Sequence, residues 1–379
     1  MKQNAFGPLP GSTILRGIAG HKTIVMAANV RIASVAKGIF QAAKDTDSAV
    51  FMELARSECD LKGGYTGMTP ADFSKRMNDA AKAVGFDFWA LHADHITIKK
   101  GDAAEIDSTK QLIDAQIAAG YTSFAIDASH LFNFEGKNVR EELDPNIRVT
   151  IDLAQYIKSR MNGKEFGLEV EVGEIGRKDG SGLVLTKPEE AVAFIKALNE
   201  NDVHPHVLAI ANGSTHGHTY DASGNVVEQL SIDIPQTKAI AKALRDDKLH
   251  VGIAQHGITG TPRDLINLHF PKGDIIKGNV GTFWQDVVFD VLKVYEPALY
   301  KSIQDWTLEK YRPFNAGKSD RQIFDGNCKM AIKEFFKDLY SVEESTEHAI
   351  QSMAYAESLV FFRAFGAYGS ASVVRKARK

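Results

Sequence analysis

Histidines that can bind a metal ion stand at the ends of three apolar segments of the sequence. His95 closes the motif HADH at 92–95, His216 lies in the polar run 212–218, and His256 follows a third segment. Three protein ligands with one open position form the usual catalytic zinc site. We therefore predict that His95, His216 and His256 bind one divalent ion. Within their clusters, His92 and His218 are the rival ligands.

Glycines and threonines beside two of these histidines are suited to holding a phosphate group. Gly217 follows His216 directly, and Gly257, Thr259 and Gly260 follow His256. Glycine lets the backbone approach a ligand closely, and hydroxyls and free N–H groups at a helix start bind anions. The alternative interpretation of each loop is a plain tight turn.

Eight short apolar segments separate these polar groups from each other. Their starts lie 25 to 44 residues apart, which leaves room for a crossover helix after each one. Most are continuous rather than alternating, as is typical of parallel strands that are covered on both faces. We predict strands at 23–30, 49–54, 87–94, 123–129, 167–174, 207–213, 249–257 and 274–280.

Eight strand–helix units predict an α/β fold, the (β/α)8 TIM barrel, over 23–295. An N-terminal segment, 1–22, precedes the barrel, and a C-terminal helical extension, 296–379, follows it. A doubly wound open sheet is the alternative, but no G-x-G-x-x-G follows any of the strands. In a barrel, catalytic groups lie at the carboxyl ends of the strands, where the histidines stand, and phosphate often binds after strands seven and eight. Thr282, after the eighth strand, is thus a further phosphate candidate.

Several helix boundaries are also readable. Thr69 and Pro70 predict the start of a helix that stops at Gly85. A capping box between Thr186 and Glu189 predicts the start of another helix. In the extension, helical stretches are expected over 326–340 and 345–375.

Composition excludes several functional classes. The 379 residues contain 45 Lys and Arg against 48 Asp and Glu, a net charge of −3, which argues against a nucleic-acid coat or a polybasic membrane anchor. Two cysteines cannot build a disulfide scaffold. No apolar run reaches the ~18 residues of a membrane span, and the N-terminus lacks the apolar stretch of a signal peptide. We expect a soluble, cytoplasmic protein with no nucleic-acid or membrane partner.

The strand-end motifs together resemble a known enzyme family. They stand in the order seen in class II fructose-bisphosphate and tagatose-bisphosphate aldolases, over roughly 20–295, and they are HADH at 92–95, IDASH at 126–130, LEVEVGEIG at 168–176, STHG at 214–217, QHG at 255–257 and KGNV at 277–280. The resemblance implies a metal-dependent lyase that releases dihydroxyacetone phosphate from a phosphorylated sugar. It also implies a homodimer or homotetramer, and zinc or another divalent cofactor, with a monovalent cation as a possible addition.

The resemblance extends to individual positions. It implies His95, His216, His256 and Glu171 as metal ligands, and Asp94 and Asn279 as residues of the reaction. The substrate and phosphate residues expected here are Asn29, Gly217, Gly257, Thr259, Gly260, Gly281 and Thr282. Arg177 is a further candidate for substrate binding, although it lies in a loop that departs from the family pattern.

Three departures from the family pattern concern the aldehyde end of the substrate. An acidic pair is replaced at 176–179 by Gly-Arg-Lys-Asp, so the residue that moves the substrate proton stays open between Glu174 and Asp179. Ala55 stands where a phosphate-binding serine is usual. The C-terminal arginine has no clear counterpart, and Arg312 and Arg321 are only nearby. We expect the dihydroxyacetone-phosphate end to be kept and the aldehyde end to be altered.

The chemistry of cleavage is consistent with these residues. A divalent metal can polarise a ketone and hold the charge of an enediolate. A carboxylic acid beside it, such as Asp94, can exchange the proton of the C4 hydroxyl; the alternative is that Asp94 only supports a histidine.

Three other functions stay open at this point. A zinc hydrolase on the same barrel would usually carry His-x-His on strand one, where this chain has Ala27-Ala28-Asn29. A Schiff-base aldolase would use Lys277. An inactive barrel that serves as a binding scaffold is the third possibility.

Overall fold

The chain folds around a closed barrel of eight parallel strands, which confirms the predicted fold class. The computed structural model describes residues 6–176, 178–179, 182–215, 217–221 and 224–378. The barrel strands are Val25–Asn29, Val50–Ala55, Trp89–Thr97, Ser123–Asp127, Gly167–Val172, Val207–Ile210, Gly252–Gln255 and Ile275–Val280. Each overlaps one of the eight predicted apolar segments.

Closure of the barrel pairs the first strand with the eighth. Ala27 of the first strand is in register with Asn279 of the eighth strand. On the other edge of the first strand, Asn29 is in register with Glu53 of the second strand. The first five strands are buried along almost their whole length, as expected when helices cover a parallel sheet. All eight strands therefore present their carboxyl ends at one rim.

One helix follows each strand and covers the outside of the barrel. These eight helices are Ala36–Asp45, Pro70–Val84, Ala103–Ala118, Val139–Met161, Pro188–Asn199, Ile234–Asp246, Arg263–His269 and Thr282–Tyr295. An N-terminal helix, Gly11–Ile18, lies against the third and fifth strands. Short 3-10 turns occupy Ala33–Val35 and Ser129–Leu131.

Two predicted helix starts have different outcomes. The Thr69 hydroxyl accepts a hydrogen bond from the Asp72 N–H, Pro70 is the first helical residue, and Gly85 ends the helix with φ of 70°, all as predicted. The capping box at Thr186 is wrong. That hydroxyl instead donates to the Val172 carbonyl and accepts from the Ala211 N–H, both at 2.9 Å, so it joins two strand ends and the helix begins later.

The C-terminal extension is helical, but its pieces are shorter than the sequence pattern predicts. The expected helix over 345–375 is interrupted where Gly366 and Gly369 adopt φ of +66° and +78°, a region that favours glycine. The extension consists of Pro297–Tyr311, Arg312–Phe314, Asp320–Asn327, Cys328–Met330, Ala331–Glu334, Phe336–Leu339, Glu344–Ala364 and Ser370–Ala377.

The long helix of the extension packs directly on the barrel. Glu344–Ala364 crosses the helix Ala36–Asp45, and Ala354 lies beside Gly38 at the crossing. Farther along it, Phe361 contacts the rings of Phe283 and Trp284. The extension is thus joined to the helices that follow the first and eighth strands.

Two small hairpins, which the sequence did not predict, lie in the loops after the fifth and sixth barrel strands. One pairs Lys178–Asp179 with Gly182–Leu183, and the other pairs Thr219–Tyr220 with Val226–Val227. In the part of the chain that the structure describes, no helix has the length and apolarity needed to cross a membrane.

Gly38 should be intolerant of a side chain, because a methyl group there would overlap the Gln351 carbonyl oxygen on the crossing helix. Gly38→Ala should lower the free energy of unfolding by about 1–3 kcal/mol, the usual cost of overpacking, although alanine is the better helix former. Urea denaturation measures the change. Gly326→Ala is the control, since nothing lies within 4 Å of its added methyl group. Equal stability of the two variants would contradict the close crossing.

Candidate active site

Polar side chains from the carboxyl ends of the strands line one cleft of about 770 Å³. Its lining includes most of the predicted site residues: Asn29, Asp94, His95, Glu171, Glu174, Gly217, His256, Gly257, Thr259, Asn279, Gly281 and Thr282. Gly260 is next to it, and its carbonyl accepts from the Gln229 N–H at 2.8 Å. His216 and Arg177 lie outside the described residues, as does the side chain of Asp179.

A local irregularity aims His95 into this cleft. Residues two apart on a strand share a face, so His92 and Asp94 point the same way and a regular strand would turn His95 outward. The register with the fourth strand shifts between Ala93 and Ile96, and His95 has φ of +37°. Such a conformation is uncommon for a residue with a side chain and is typical of functional sites.

His95 and His256 face each other across the cleft floor. Nε2 of His95 is 2.9 Å from Nδ1 of His256. Two nitrogens that bind one tetrahedral zinc ion at ~2.0–2.1 Å are about 3.3 Å apart, so a small movement would fit a shared ion. A carboxylate oxygen of Asp94 also lies within 4.8 Å of a ring nitrogen of each histidine. The donor set is that of a divalent transition-metal site.

Carboxylates hold the opposite nitrogen of each ring. Glu169 is 3.0 Å from Nε2 of His256, while Nδ1 of His95 has Glu171 at 3.1 Å and Asp127 at 3.6 Å. Such partners orient metal-binding histidines. Glu171, expected as a ligand from the resemblance, therefore lies behind His95, on the side away from His256.

The electrostatics of this pair favour a bound cation. Burial disfavours protonation of His95, but Asp94 and Glu171 outweigh it and raise its pKa well above the usual range. Burial, and then repulsion by His95, lower the pKa of His256. Burial and the neighbouring Asp127 raise the pKa of Glu171 to about 8. The acidic side chains around His95 thus favour a positive charge on its ring.

Beneath the histidines, Lys277 is fully buried in the barrel interior. Its Nζ is 2.8 Å from Glu169 and 3.2 Å from both Glu53 and the Asn279 Oδ1 atom. The Asn279 amide then donates to Glu53 at 2.8 Å and to Asp94 at 3.1 Å. The Asn279 side chain therefore links the two residues: its oxygen accepts from Lys277, and its nitrogen donates to Asp94.

The rival histidines have other partners. The His92 ring is buried below the cleft, where Nδ1 is 2.8 Å from the Ser123 hydroxyl and Nε2 is 3.3 Å from Lys277. Nε2 of His218 is 3.1 Å from Asp286, and this carboxylate raises its pKa. Among these histidines, it is the ring nitrogens of His95 and His256 that approach each other closely enough to share a metal ion.

The second and third strands and their loops contribute a different set of residues to the cleft. Ala55 lies there with Arg56 and Lys99, and His130 is 3.5 Å from Glu174. Neither arginine of the extension named above reaches this end, because Arg312 pairs with Asp320 on the surface and Arg321 with Asp325. Glu174 thus borders the cleft as a half-buried carboxylate with a histidine neighbour.

Sequence reasoning missed several residues of the site. Asp127 and Glu169 stand at strand ends and could have been assigned as partners of the histidines. Arg31, Glu58 and Lys329 line the cleft from loops and from the extension, where no periodic pattern marks a side chain as inward.

Comparisons with known proteins identify the family of the chain. A family model described as "Fructose-bisphosphate aldolase class-II" matches residues 11–348. The chain belongs to this family. The predicted resemblance is confirmed, and membership makes the protein an aldolase, and so a lyase, at the level of reaction class. No curated protein sequence matches the chain.

Solved structures share the aldolase fold at low identity. A fructose-bisphosphate aldolase from Campylobacter jejuni is 18% identical with a TM-score of 0.62, covering 96% of this chain and 97% of its own. The YdjI aldolase from Escherichia coli K12 is 17% identical with a TM-score of 0.58, covering 94% and 97%. At these identities the likeness supports the fold.

The surroundings of Lys277 disfavour the Schiff-base alternative. Although burial opposes the charge, Glu169 and Glu53 raise the pKa of Lys277 above its usual value, and a Schiff base needs the neutral amine. Borohydride reduction in the presence of dihydroxyacetone phosphate should therefore leave Lys277 without an adduct in peptide mass spectra. A known Schiff-base aldolase, treated in parallel, is the control. An adduct mass on the Lys277 peptide would reinstate the alternative.

Proposed function

We propose that this aldolase is metal-dependent and reversibly cleaves a ketose 1-phosphate or 1,6-bisphosphate into dihydroxyacetone phosphate and an aldehyde. The observation that carries the proposal is the convergence of the His95 and His256 nitrogens beside Asp94 and Asn279. Family membership supplies the reaction class, and this cluster supplies groups that the reaction needs.

His95 and His256 would hold the metal, with His216 as the third ligand expected from the sequence. Zinc fits these nitrogens best, and other divalent ions are compatible. When bound, the metal polarises the ketone and stabilises enediolate charge. Glu169 and Glu171 keep both rings in orientation from behind.

Asp94 is the proposed acid and base for the C4 hydroxyl. The Asn279 amide donates to its Oδ1, which leaves Oδ2 for a substrate hydroxyl. The residue is 4% exposed, so a proton held there is shielded from bulk water. The second proton step, at the carbon next to the ketone, stays assigned to Glu174 or Asp179.

The phosphate of the dihydroxyacetone end would bind the loops after the sixth, seventh and eighth strands. Gly217 and Gly257 have φ of +79° and +66° there, and a Cβ on Gly257 would crowd the Thr215 carbonyl. Thr259 and Thr282 contribute hydroxyls to the same wall of the cleft.

The aldehyde end is proposed to accept an anionic group in a different position from that of fructose 1,6-bisphosphate. Ala55 has no hydroxyl to donate, whereas Arg56 and Lys99 line this end, and Arg177 stands in the sequence where acids are usual. A homodimer or homotetramer and a cytoplasmic location stay predictions.

Loss of either converging histidine should remove the metal. His95→Ala and His256→Ala, together with His216→Ala, should each lose most bound zinc and most cleavage activity, because two remaining ligands bind weakly. Metal content by inductively coupled plasma mass spectrometry checks this without an assay. His204→Ala is the control, since its exposed ring contacts Asp202 and Asn199 at the surface. Normal metal content in the three site variants would contradict the proposal.

Asp94→Asn should separate proton transfer from metal binding. The variant should keep its metal while kcat falls by about 10²–10⁴-fold, the typical effect of losing a general acid or base. Steady-state kinetics and metal content are measured on the same preparation. Asp79→Asn, on an exposed helix face beside Lys75, is the control. A near-normal kcat would remove Asp94 from the mechanism.

A substrate panel tests the altered aldehyde end. We expect fructose 1,6-bisphosphate to be cleaved, with another anionic ketose 1-phosphate giving an equal or higher kcat/KM. Arg177→Ala should lower kcat/KM for that second substrate. The panel comprises fructose and tagatose 1,6-bisphosphates and ketose 1-phosphates changed at C6. Arg148→Ala, exposed and paired with Asp144, is the control. If Arg177→Ala and the control both prefer fructose 1,6-bisphosphate by orders of magnitude, the proposal of an altered aldehyde end is wrong.

A further inference from the structure

Arg31 brings a positive charge to the wall of the cleft where the phosphate is proposed to bind. It follows the first barrel strand, yet its Nη1 donates to the Thr282 hydroxyl at 3.2 Å and to Gln285 at 3.3 Å. Its Nη2 is 3.5 Å from the position that a Cβ on Gly281 would occupy. Because Gly281 has no side chain, this face of the guanidinium stays open to the cleft.

Glu58 holds the guanidinium in that orientation. Its carboxylate is 2.8 Å from Nε of Arg31 and also accepts from the Tyr65 hydroxyl at 2.6 Å and from the Ala55 N–H at 2.8 Å. The guanidinium has five N–H protons. The Nε proton is donated to Glu58, and the two Nη1 protons are donated to Thr282 and Gln285. Nη2 finds no hydrogen-bond partner within the described chain, so its two protons are available to a ligand.

Two hydroxyls on the same wall are also set to donate. The Thr282 oxygen accepts from Arg31, and the Thr259 oxygen accepts from the Phe283 N–H at 3.2 Å. A hydroxyl also carries one proton that it can donate. Because both oxygens act as acceptors in these bonds, the proton of each hydroxyl remains available to a ligand. Thr282 also begins a 14-residue helix, whose first N–H groups favour an anion.

Lys329 adds a second cation from the C-terminal extension. Its Nζ is 5.8 Å from the centre of the Tyr65 ring, and the Arg31 guanidinium is 5.9 Å from the same ring. Over the described ranges, its Nζ has no ion pair or hydrogen bond. Burial, and then repulsion by Arg31, lower the pKa of Lys329, as expected for a cation that lacks a counter-ion.

The local charge balance is therefore positive. Glu58 compensates Arg31, whereas Lys329 is uncompensated. Two acids on neighbouring helices have other partners, since Asp286 pairs with His218 and Asp325 accepts from the Tyr220 hydroxyl at 3.1 Å.

We propose that Arg31, with Lys329 from the extension, is the cationic part of the site for the C1 phosphate, and that Glu58 is its positioning residue. The assignment to C1 rests on the proposed function. Arg31 donates directly through Nη2, while Lys329 supplies the net charge that a dianion needs. The C-terminal extension is then a part of the active site and not merely a cover for the barrel.

The test measures binding of inorganic phosphate and of dihydroxyacetone phosphate to the metal-loaded protein by calorimetry. Removing Arg31 alone leaves Glu58 buried and unpaired, which is strongly destabilising. The variants are therefore Arg31→Lys, the double variant Arg31→Gln with Glu58→Gln, and Lys329→Met. Lys333→Met is the control, because this lysine lies on the same extension and its Nζ donates to the Lys62 carbonyl at the surface.

We expect dihydroxyacetone phosphate to bind about 10- to 100-fold more weakly to the double variant, the range for a lost charged hydrogen bond, and several-fold more weakly to Arg31→Lys and Lys329→Met. Inorganic phosphate should follow the same order, with the control unchanged. Unchanged affinities in folded variants, or no phosphate binding by the unaltered protein, overturn the proposal.

Cleavage assays on the same samples separate the two proposals. Cleavage of a ketose 1-phosphate with KM independent of Arg31 and Lys329 would leave the aldolase assignment standing and overturn this site. Phosphate binding that depends on both residues, without cleavage of any ketose phosphate, would support the anion site while the proposed function fails.

Discussion

The buried ammonium of Lys277 is the interaction on which the rest of the site depends. Desolvation of a lysine is tolerated only when opposite charges and acceptors surround it, and here Glu169, Glu53 and Asn279 do so. Two of these partners extend the network, since Glu169 orients His256 and Asn279 holds Asp94. Removal of one partner of a buried pair typically costs about 3–5 kcal/mol, so the geometry of the cleft and the stability of the barrel are coupled.

This network lies inside the barrel because the strands are parallel and closed. Lys277 and Asn279 share one face of the eighth strand. Glu53, Asp94 and Glu169 reach them across the barrel interior from the second, third and fifth strands. His95 is the exception to this alternation. It reaches the cleft because the backbone departs from a regular strand, and the carboxylates of Glu171 and Asp127 stabilise the ring there.

The site has two walls of different character. The wall formed by the last three strands and their loops provides glycines and threonine hydroxyls, and Arg31 reaches it from the loop after the first strand. These groups are suited to a phosphate. On the side of the second and third strands, Ala55 stands beside Arg56 and Lys99 where the resemblance leads us to expect a serine. Glu58 joins the two sides, because it accepts from both the Ala55 N–H and Arg31. An enzyme with this division would keep the chemistry at the ketone while it changes the aldehyde that it accepts, since the two ends bind different elements.

The sequence by itself determined the eight strands, the barrel and the strand-end position of His95, Asp94, His256 and Asn279. Continuous apolar runs mark buried parallel strands, and function in a barrel lies where those strands end. Tertiary structure decided which histidine of HADH enters the cleft, since that depends on a bulge against the neighbouring strand. It also decided the contributions of Arg31, Glu58 and Lys329, which come from loops and from a helical extension. Arg31 and Glu58 are oriented by partners from distant strands and loops, and Lys329 reaches the cleft only when the extension packs against the barrel. The polarity of such residues in the sequence does not show the direction in which their side chains point.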